Sequence, residues 1–366
     1  MTVAGAMRIL VDTSAANDER SGAARRFLDI LPATAAAHPD CSWTVVATAG
    51  FAPVIAAALP AATIEIFPTT AHAGWAARRR HNARLAALAG RGGFDLVLQD
   101  TLPPALPSRT WPTIHDLRFL EAESGAGLPR RLYGRHLLPR RLRACPKLIA
   151  VSGFMADRIA HELRYPRERI VLLPNGIDVD AFRARIGDVA RVARLGLSPR
   201  SYLLAVGHRE PRKNFEVLIR AQEQIVRRGH ALPLVIVGRS ARGYREPERL
   251  VRELALEKHV RFFDAVDSEI LPALYAAASV YLAPSIHEGF GITILEALAA
   301  GVAVLAADVE SNRNLFPSLP RVPCDDPSAW AAAIGGILAG GCRPHAEAAA
   351  VLAAYPIRPL PLPDDR

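Results

Sequence analysis

Short runs of Val, Ile and Leu return along this chain at intervals filled by longer Ala/Leu/Arg-rich stretches, and the alternation happens twice. The first series comprises Arg8 to Val11, Trp43 to Thr48, Thr63 to Phe67, Phe94 to Gln99, Pro112 to His115, Lys147 to Val151 and Ile170 to Leu173. A second series begins at Tyr202 with YLLAVG and continues through PLVIVG, VRFF, SVYLAP (Ser279 to Pro284) and VAVLAA. Runs this short and this apolar read as strands, and the lengths between them suit helices. Strands alternating with helices give a parallel sheet covered by helices on both faces. Two series give two sheets, and 366 residues are long for a single core. The predicted fold class is therefore α/β, with two Rossmann-like domains facing each other across a cleft. The expected boundaries are 1–177 for the N-terminal domain, 178–200 for a connection, 201–345 for the C-terminal domain and 346–366 for a Pro-rich tail. The connection is marked by Gly176, Gly187, Gly196 and Pro199, with mixed charge and no strand. Ligands of open α/β sheets bind beyond the carboxyl ends of the strands, which puts the expected site in the cleft.

Composition excludes several classes. Hydrophobic residues at 50% and charged residues at 22% describe a globular chain and not a disordered one. Pro53, Pro60 and Pro68 interrupt the Ala-rich stretch after Ala47, so no apolar run reaches the roughly 18 to 20 residues that span a bilayer. The first apolar run, Ile9 to Val11, meets Asp12 at once and has no basic region before it, so a cytoplasmic location is expected, with Met1 to Ala6 as an extension ahead of the first strand. Cys41, Cys145, Cys324 and Cys342 are far apart and suggest neither a zinc site nor a disulfide framework. A net charge of +9 asks for an anionic partner. It gathers in WAARRRHNARLAALAGR (75–91) and LPRRLYGRHLLPRRLRACPK (128–147), which read as amphipathic basic helices. Peripheral contact with an anionic membrane at its inner face fits such helices, and plain solvated faces fit them equally. No zinc finger, aromatic RNA-binding motif or helix-turn-helix accompanies the charge, so nucleic acid is not an expected partner.

The strongest constellation is HEGFGITILEALAAG, from His287 to Gly301. Glu288 follows an apolar strand on a loop, and Glu296 falls about a turn into the next helix, so both carboxylates can face one ligand. Gly289 and Gly291 let the backbone approach that ligand closely, and the N–H groups from Gly289 through Phe290, Gly291, Ile292 and Thr293 are placed to receive an anion. Carboxylates accept hydrogen bonds from hydroxyls. A diphosphate carrying a sugar on one side and a ribose on the other matches this set.

These residues resemble the E-x7-E signature of retaining GT-B glycosyltransferases of the group 1 or family 4 type, a family that includes bacterial mannosyltransferases. Further blocks resemble the family in the same order: TIHDLRF (Thr113 to Phe119), LIAVSGF (Leu148 to Phe154), LLPNGIDVDAF (Leu172 to Phe182) and VGHREPRKNFEVLI (Val206 to Ile219). The resemblance implies that Glu288 contacts the donor sugar, that Glu296 holds the ribose hydroxyls, and that Lys213, with Arg212 beside it and Arg209 in the preceding loop, neutralises the diphosphate. A basic residue at a helix start opposes the helix dipole, which favours a functional reading of Lys213. His115 becomes an active-site contact, although a His at a strand end is otherwise a common structural cap. Gly22, in RSGAARRF, stands for a glycine of the family's first loop, whose second glycine is here Ala24.

The family generally works without a catalytic metal, and Asp178-Val-Asp180 accordingly reads as structural. No cofactor is expected beyond the nucleotide-sugar co-substrate. The Pro-Arg-Lys-Asn form of the basic motif resembles mannosyltransferase members, making GDP-mannose the expected donor and a glycan or lipid-linked molecule the acceptor, in polysaccharide or lipopolysaccharide synthesis. Two other readings stay open: a nucleotide-sugar epimerase on the same fold, and a non-catalytic sugar-nucleotide-binding protein. The second draws on three departures from the family, namely Ala24, Asn314 where an acidic residue is common, and the Pro-rich tail where relatives continue as a helix.

Overall fold

The computed structural model of the protein describes residues 7–14, 16, 22–68, 74–120, 132–229, 232–241, 243–341 and 343–363. The chain forms two units, Met1–Gly176 together with Ile357–Arg366, and Ile177–Pro356.

In the first unit the strands are β1 (Arg8–Asp12), β2 (Ser42–Ala47), β3 (Thr63–Ile66), β4 (Leu96–Gln99), β5 (Thr110–Ile114), β6 (Leu148–Ala150) and β7 (Ile170–Leu172). They lie in the order β3-β2-β1-β4-β5-β6-β7, parallel at every described pairing. Central β1 and β4 are almost wholly buried, whereas edge strand β3 is half-exposed, as helices on both faces require. The order reverses between β1 and β4, and that reversal opens a crevice at the carboxyl ends of these strands. Ile9, Val11, Phe27, Trp43 and Val45 head the core beneath it.

The second unit repeats the plan with β8 (Leu203–Val206), β9 (Leu234–Val237), β10 (Val260–Phe263), β11 (Val280–Ala283), β12 (Ala303–Ala307) and β13 (Arg321–Val322), ordered β10-β9-β8-β11-β12-β13. Its core is built on Leu203, Phe215, Ile236, Leu282 and Trp330. The reversal here falls between β8 and β11. Strand β13 has two residues, too few to show an apolar pattern in the sequence.

Two segments divide differently from the sequence expectation. Residues 178–200 fold into the second unit instead of spanning between units. Asp178 caps the helix Val179–Ala184 by accepting from the Ala181 N–H at 2.9 Å, and Val192 and Leu197 are buried. Arg261 ties this segment down through the carbonyls of Gly196 and Leu195 at 2.8 and 2.6 Å. The expected tail also splits. Helix Ala348–Ala354 stays in the second unit, where Tyr355 packs edge-on against Phe290 at 5.0 Å. From Ile357 the chain belongs to the first unit, and Leu360 and Leu362 enter its core while Pro361 and Pro363 stay exposed. An extended Leu-Pro alternation shows one face inward at period two, and its prolines lack the N–H that would extend a sheet.

Candidate functional site

The switch point of the second unit gathers its charges. After β8 the chain passes Gly207 and a 3₁₀ turn, Pro211–Lys213, before the helix Phe215–Arg227. After β11 it passes Ser285 to Glu288 and reaches the helix Ile292–Ala299. One backbone bond, Ile286 N–H to the Arg212 carbonyl at 2.9 Å, pins the two loops together across 74 positions of sequence (286 minus 212). As a result Lys213 Nζ lies 2.5 Å from Glu288 Oε1 and Arg212 Nη1 lies 3.0 Å from Glu288 Oε2. Arg212 Nε also meets Glu210 at 2.7 Å. The stem of Lys213 runs over Gly207, where an added Cβ would sit 3.1 Å from Lys213 Cε. Glycine at 207, with φ +155°, leaves that path open.

Burial pushes the Glu288 carboxyl up, yet the charges of Lys213 and Arg212, with hydrogen bonds from Lys213 and Ser285, outweigh it and bring the pKa down to about 2. Burial pulls the Lys213 ammonium below its ordinary value, Glu288 opposes this, and Arg212 reinforces it. The pair is thus charged and mostly withdrawn from water, with side-chain exposures of 11% and 15%. Beside it an open hollow is lined by Val206, Tyr281, Ser285, Glu288, Gly291 and Thr293. Gly291 caps the helix Ile292–Ala299 in the left-handed region at φ +98°, and a Cβ there would stand 3.3 Å from Phe316. The helix N–H groups beginning at Ile292 therefore open next to Glu288. Gly289 and the buried Phe290 complete the turn that carries them.

The second glutamate sits deeper. Glu296 is 3% exposed on a helix whose other residues from Ile294 to Ala299 are also buried, and it accepts a hydrogen bond from Tyr275 Oη at 2.8 Å.

Arg209 follows a different course from the one the sequence suggested. Its backbone bridges to Ser240, which turns the side chain toward the ends of β9 and β10. There Nε donates to Ser240 Oγ at 2.8 Å and Glu248 Oε1 at 3.0 Å, the other guanidinium nitrogens reach the Gly238 carbonyl and Asp264, and the group covers the Phe262 ring. It is 3% exposed and clamps three strand ends. The cations at Glu288 are Lys213 and Arg212, which precedes it directly.

In the first unit His115 follows β5, and its Nε2 lies 2.7 Å from Asp100 Oδ2 just past β4. His115 is 38% exposed and Asp100 only 2%. Burial would raise the Asp100 carboxyl, but His115, the hydrogen bond between them and Arg26 hold it below the usual range. Arg26 is itself buried, which lowers its guanidinium to about 10 against the pull of Asp100 and Asp29, and it bonds to Asn175 and the Leu173 carbonyl. Gly22 opens the helix Gly22–Ala37, in which Ala24 is wholly buried; positions 17–21 of the expected glycine loop lie outside the described residues. An alanine inside a packed helix is the better helix former at that place.

The basic stretches differ from each other. Along 75–91 the residues Ala77, His81, Leu85 and Ala89 face inward, Arg78 bonds to the Leu102 carbonyl, and Arg84 stacks over Phe67 at 4.1 Å. Several of its cations thus belong to the packing. Of 128–147, residues 128–131 lie outside the described residues; from 132 onward Leu132 and Leu137 are 51% and 50% exposed among exposed Arg135, Arg140 and Arg143. No helix among the described residues is long and apolar enough to cross a membrane.

Comparison with known proteins follows the same two-unit division. Residues 21–181 match the model of Glycosyltransferase Family 4, and residues 193–346 match that of the Glycosyl transferases group 1. A D-inositol 3-phosphate glycosyltransferase of Nocardia farcinica is 37% identical over 177 residues, covering 44% of this chain and 39% of the relative. The O-antigen chain mannosyltransferase B of Escherichia coli is 30% identical over 207 residues, covering 56% of this chain and 54% of the relative. The matched stretch is thus about half or less of each of these two relatives. Among solved structures, Anabaena HepE in complex with UDP and glucose superposes with a TM-score of 0.72 at 18% identity, over 96% of both chains. Matched in order over both of its units, the chain belongs to the group 1 and family 4 glycosyltransferases of the GT-B type.

Proposed function

We propose that this protein transfers a hexosyl group, with mannose from GDP-mannose as the first candidate, to a hydroxyl of a glycan or lipid-linked acceptor in polysaccharide or lipopolysaccharide synthesis. The bond from the anomeric carbon to the phosphate oxygen breaks, the acceptor oxygen bonds to the same carbon with retention, and the acceptor proton leaves with the nucleoside diphosphate. The observation that carries this reading is the convergence of Lys213 and Arg212 on Glu288 beside the amides that open the helix Ile292–Ala299. A buried lysine, a partly buried arginine and a row of N–H donors form a preorganised seat for the charge that develops on a departing diphosphate. Glu288 holds the cations in place and offers its carboxylate to the sugar hydroxyls; Glu296 is assigned to the ribose. In the first unit His115, backed by Asp100, is assigned to a polar contact with sugar or acceptor. The mannosyltransferase among the relatives and the Pro-Arg-Lys-Asn turn support the choice of donor. Cationic side chains do the work of a metal here, so activity should persist in a chelator.

The exposed Leu132, Arg135, Leu137, Arg140 and Arg143 support a second part of the proposal, peripheral attachment to an anionic membrane where lipid-linked acceptors reside.

The test is a panel of nucleotide sugars in which nucleoside diphosphate release, epimer formation and binding without turnover are followed side by side. Charge-assisted hydrogen bonds are worth about 1.5–3 kcal/mol each, so Lys213→Ala and Glu288→Ala should each slow release by about tenfold to a hundredfold. Release at the full rate in both variants removes the site assignment, and epimer formation replaces transfer with the alternative enzyme.

A further inference from the structure

A carboxylate buried among apolar side chains needs a donor to hold it, and Glu296 takes its donor from a different helix. Tyr275, fully buried near the end of the helix Leu271–Ala276, donates its hydroxyl to Glu296 Oε2 at 2.8 Å. The Tyr275 ring is fixed in turn, packing on Tyr281 at 5.2 Å and on Phe182 at 6.4 Å. Burial pushes the Tyr281 phenol well above the ordinary value, with Thr293 and Tyr275 opposing the shift, so it remains neutral.

We infer that Tyr275 is the positioning residue of the nucleotide-ribose subsite: its hydroxyl fixes the Glu296 carboxylate so that further lone pairs meet a vicinal diol in one orientation. A carboxylate has about four lone-pair sites, and the Tyr275 phenol occupies one of them. Loss of that donor loosens the carboxylate, and ordering it again on a diol costs binding free energy. The inference rests on the assignment of Glu296 to the ribose.

The experiment is calorimetric titration of the full-length protein with GDP and UDP and with their 2′-deoxy and 3′-deoxy counterparts. For wild type, binding of the ribonucleotide is expected to exceed that of the deoxynucleotide. Tyr275→Phe keeps the ring and removes only the oxygen; it should weaken the ribonucleotide about tenfold and leave the deoxynucleotide unchanged, so that discrimination between them collapses. Tyr281→Phe should move the same ratio in the same direction by less, which supplies a second reading should the first variant fold poorly. Equal weakening of both nucleotides in Tyr275→Phe, or no change in either, overturns the positioning role and leaves the ribose assignment intact. Glu296→Gln separates the two ideas: an unchanged ribo-to-deoxy ratio in that variant overturns the ribose assignment, and this inference with it.

Discussion

Glu288 stays ionised in a site that on burial alone would neutralise it, and this leaves a signature in the pH dependence of stability. Its carboxyl falls from an ordinary 4.5 to about 2 in the folded chain, under the charges of Lys213 and Arg212 working against desolvation. Between those two values the unfolded chain binds the extra proton, so the contribution is complete above about 4.5 and disappears as pH falls toward about 2. A shift of that size corresponds to about 3 kcal/mol. Lys213, also depressed, has the same slope in a different window: its cost is felt at neutral pH and eases only as pH rises toward the ordinary ammonium range. Urea titrations at pH 5 and pH 2.5 span most of that change, so the drop in stability should be smaller by about 2 kcal/mol in Glu288→Gln. An equal drop in both proteins contradicts the charge assignment. Both members of this pair were legible in the sequence, because each lies one loop beyond an apolar strand. Arg209 turns toward the ends of β9 and β10, a direction that its sequence proximity to Lys213 does not reveal. Tyr275 and Asp100 carried no local signal at all, since their partners, Glu296 and His115, lie 21 and 15 residues away on other elements.

The strand pattern of the elements was readable because buried parallel strands are nearly continuous apolar runs, and β1, β4 and β11 are of that kind. Helical faces were harder. The same mixture of Arg with Leu describes 75–91, where arginines cover apolar neighbours, and 132–143, where two leucines point outward. Only burial separates the two. The second stretch is the one expected to dock on lipid: the full-length protein should co-sediment with vesicles containing anionic phospholipid and not with neutral ones, and less so as salt rises. Each basic residue at such a surface is worth about 1 kcal/mol, so reversing Arg135 and Arg140 to Glu should weaken binding more than tenfold. Indifference to lipid charge would return these residues to the role of a solvated face.

At the level of the whole molecule, the two-sheet plan was visible from the doubled alternation, and the unit boundaries were not. Glycines and mixed charge around 178–200 resemble a linker, yet Val192 and Leu197 are buried and Arg261 bonds across to it, contacts that only the folded chain displays. The Leu-Pro run near 360 likewise looks like an unstructured end in composition, while Leu360 is 2% exposed and its N–H donates to Thr34 Oγ1 at 2.9 Å. Leu360→Ala should lower the stability of the first unit by about 2–5 kcal/mol. Trp43 and Trp111 report on that unit and Trp330 on the other, so denaturation followed with single-tryptophan proteins should show the first transition displaced and the second unmoved. Displacement of the Trp330 transition instead would place the leucine's contribution elsewhere.

The return of residues 357–363 to the first unit makes the second an insertion within it. A ribosome releases the chain from the amino end, so residues 177–356 can collapse into their own sheet while the earlier-made half still awaits Leu360 and Leu362. The half that is translated first is then the half that finishes last, and nascent chains stalled before position 357 should hold a mature second unit tethered to an incomplete companion.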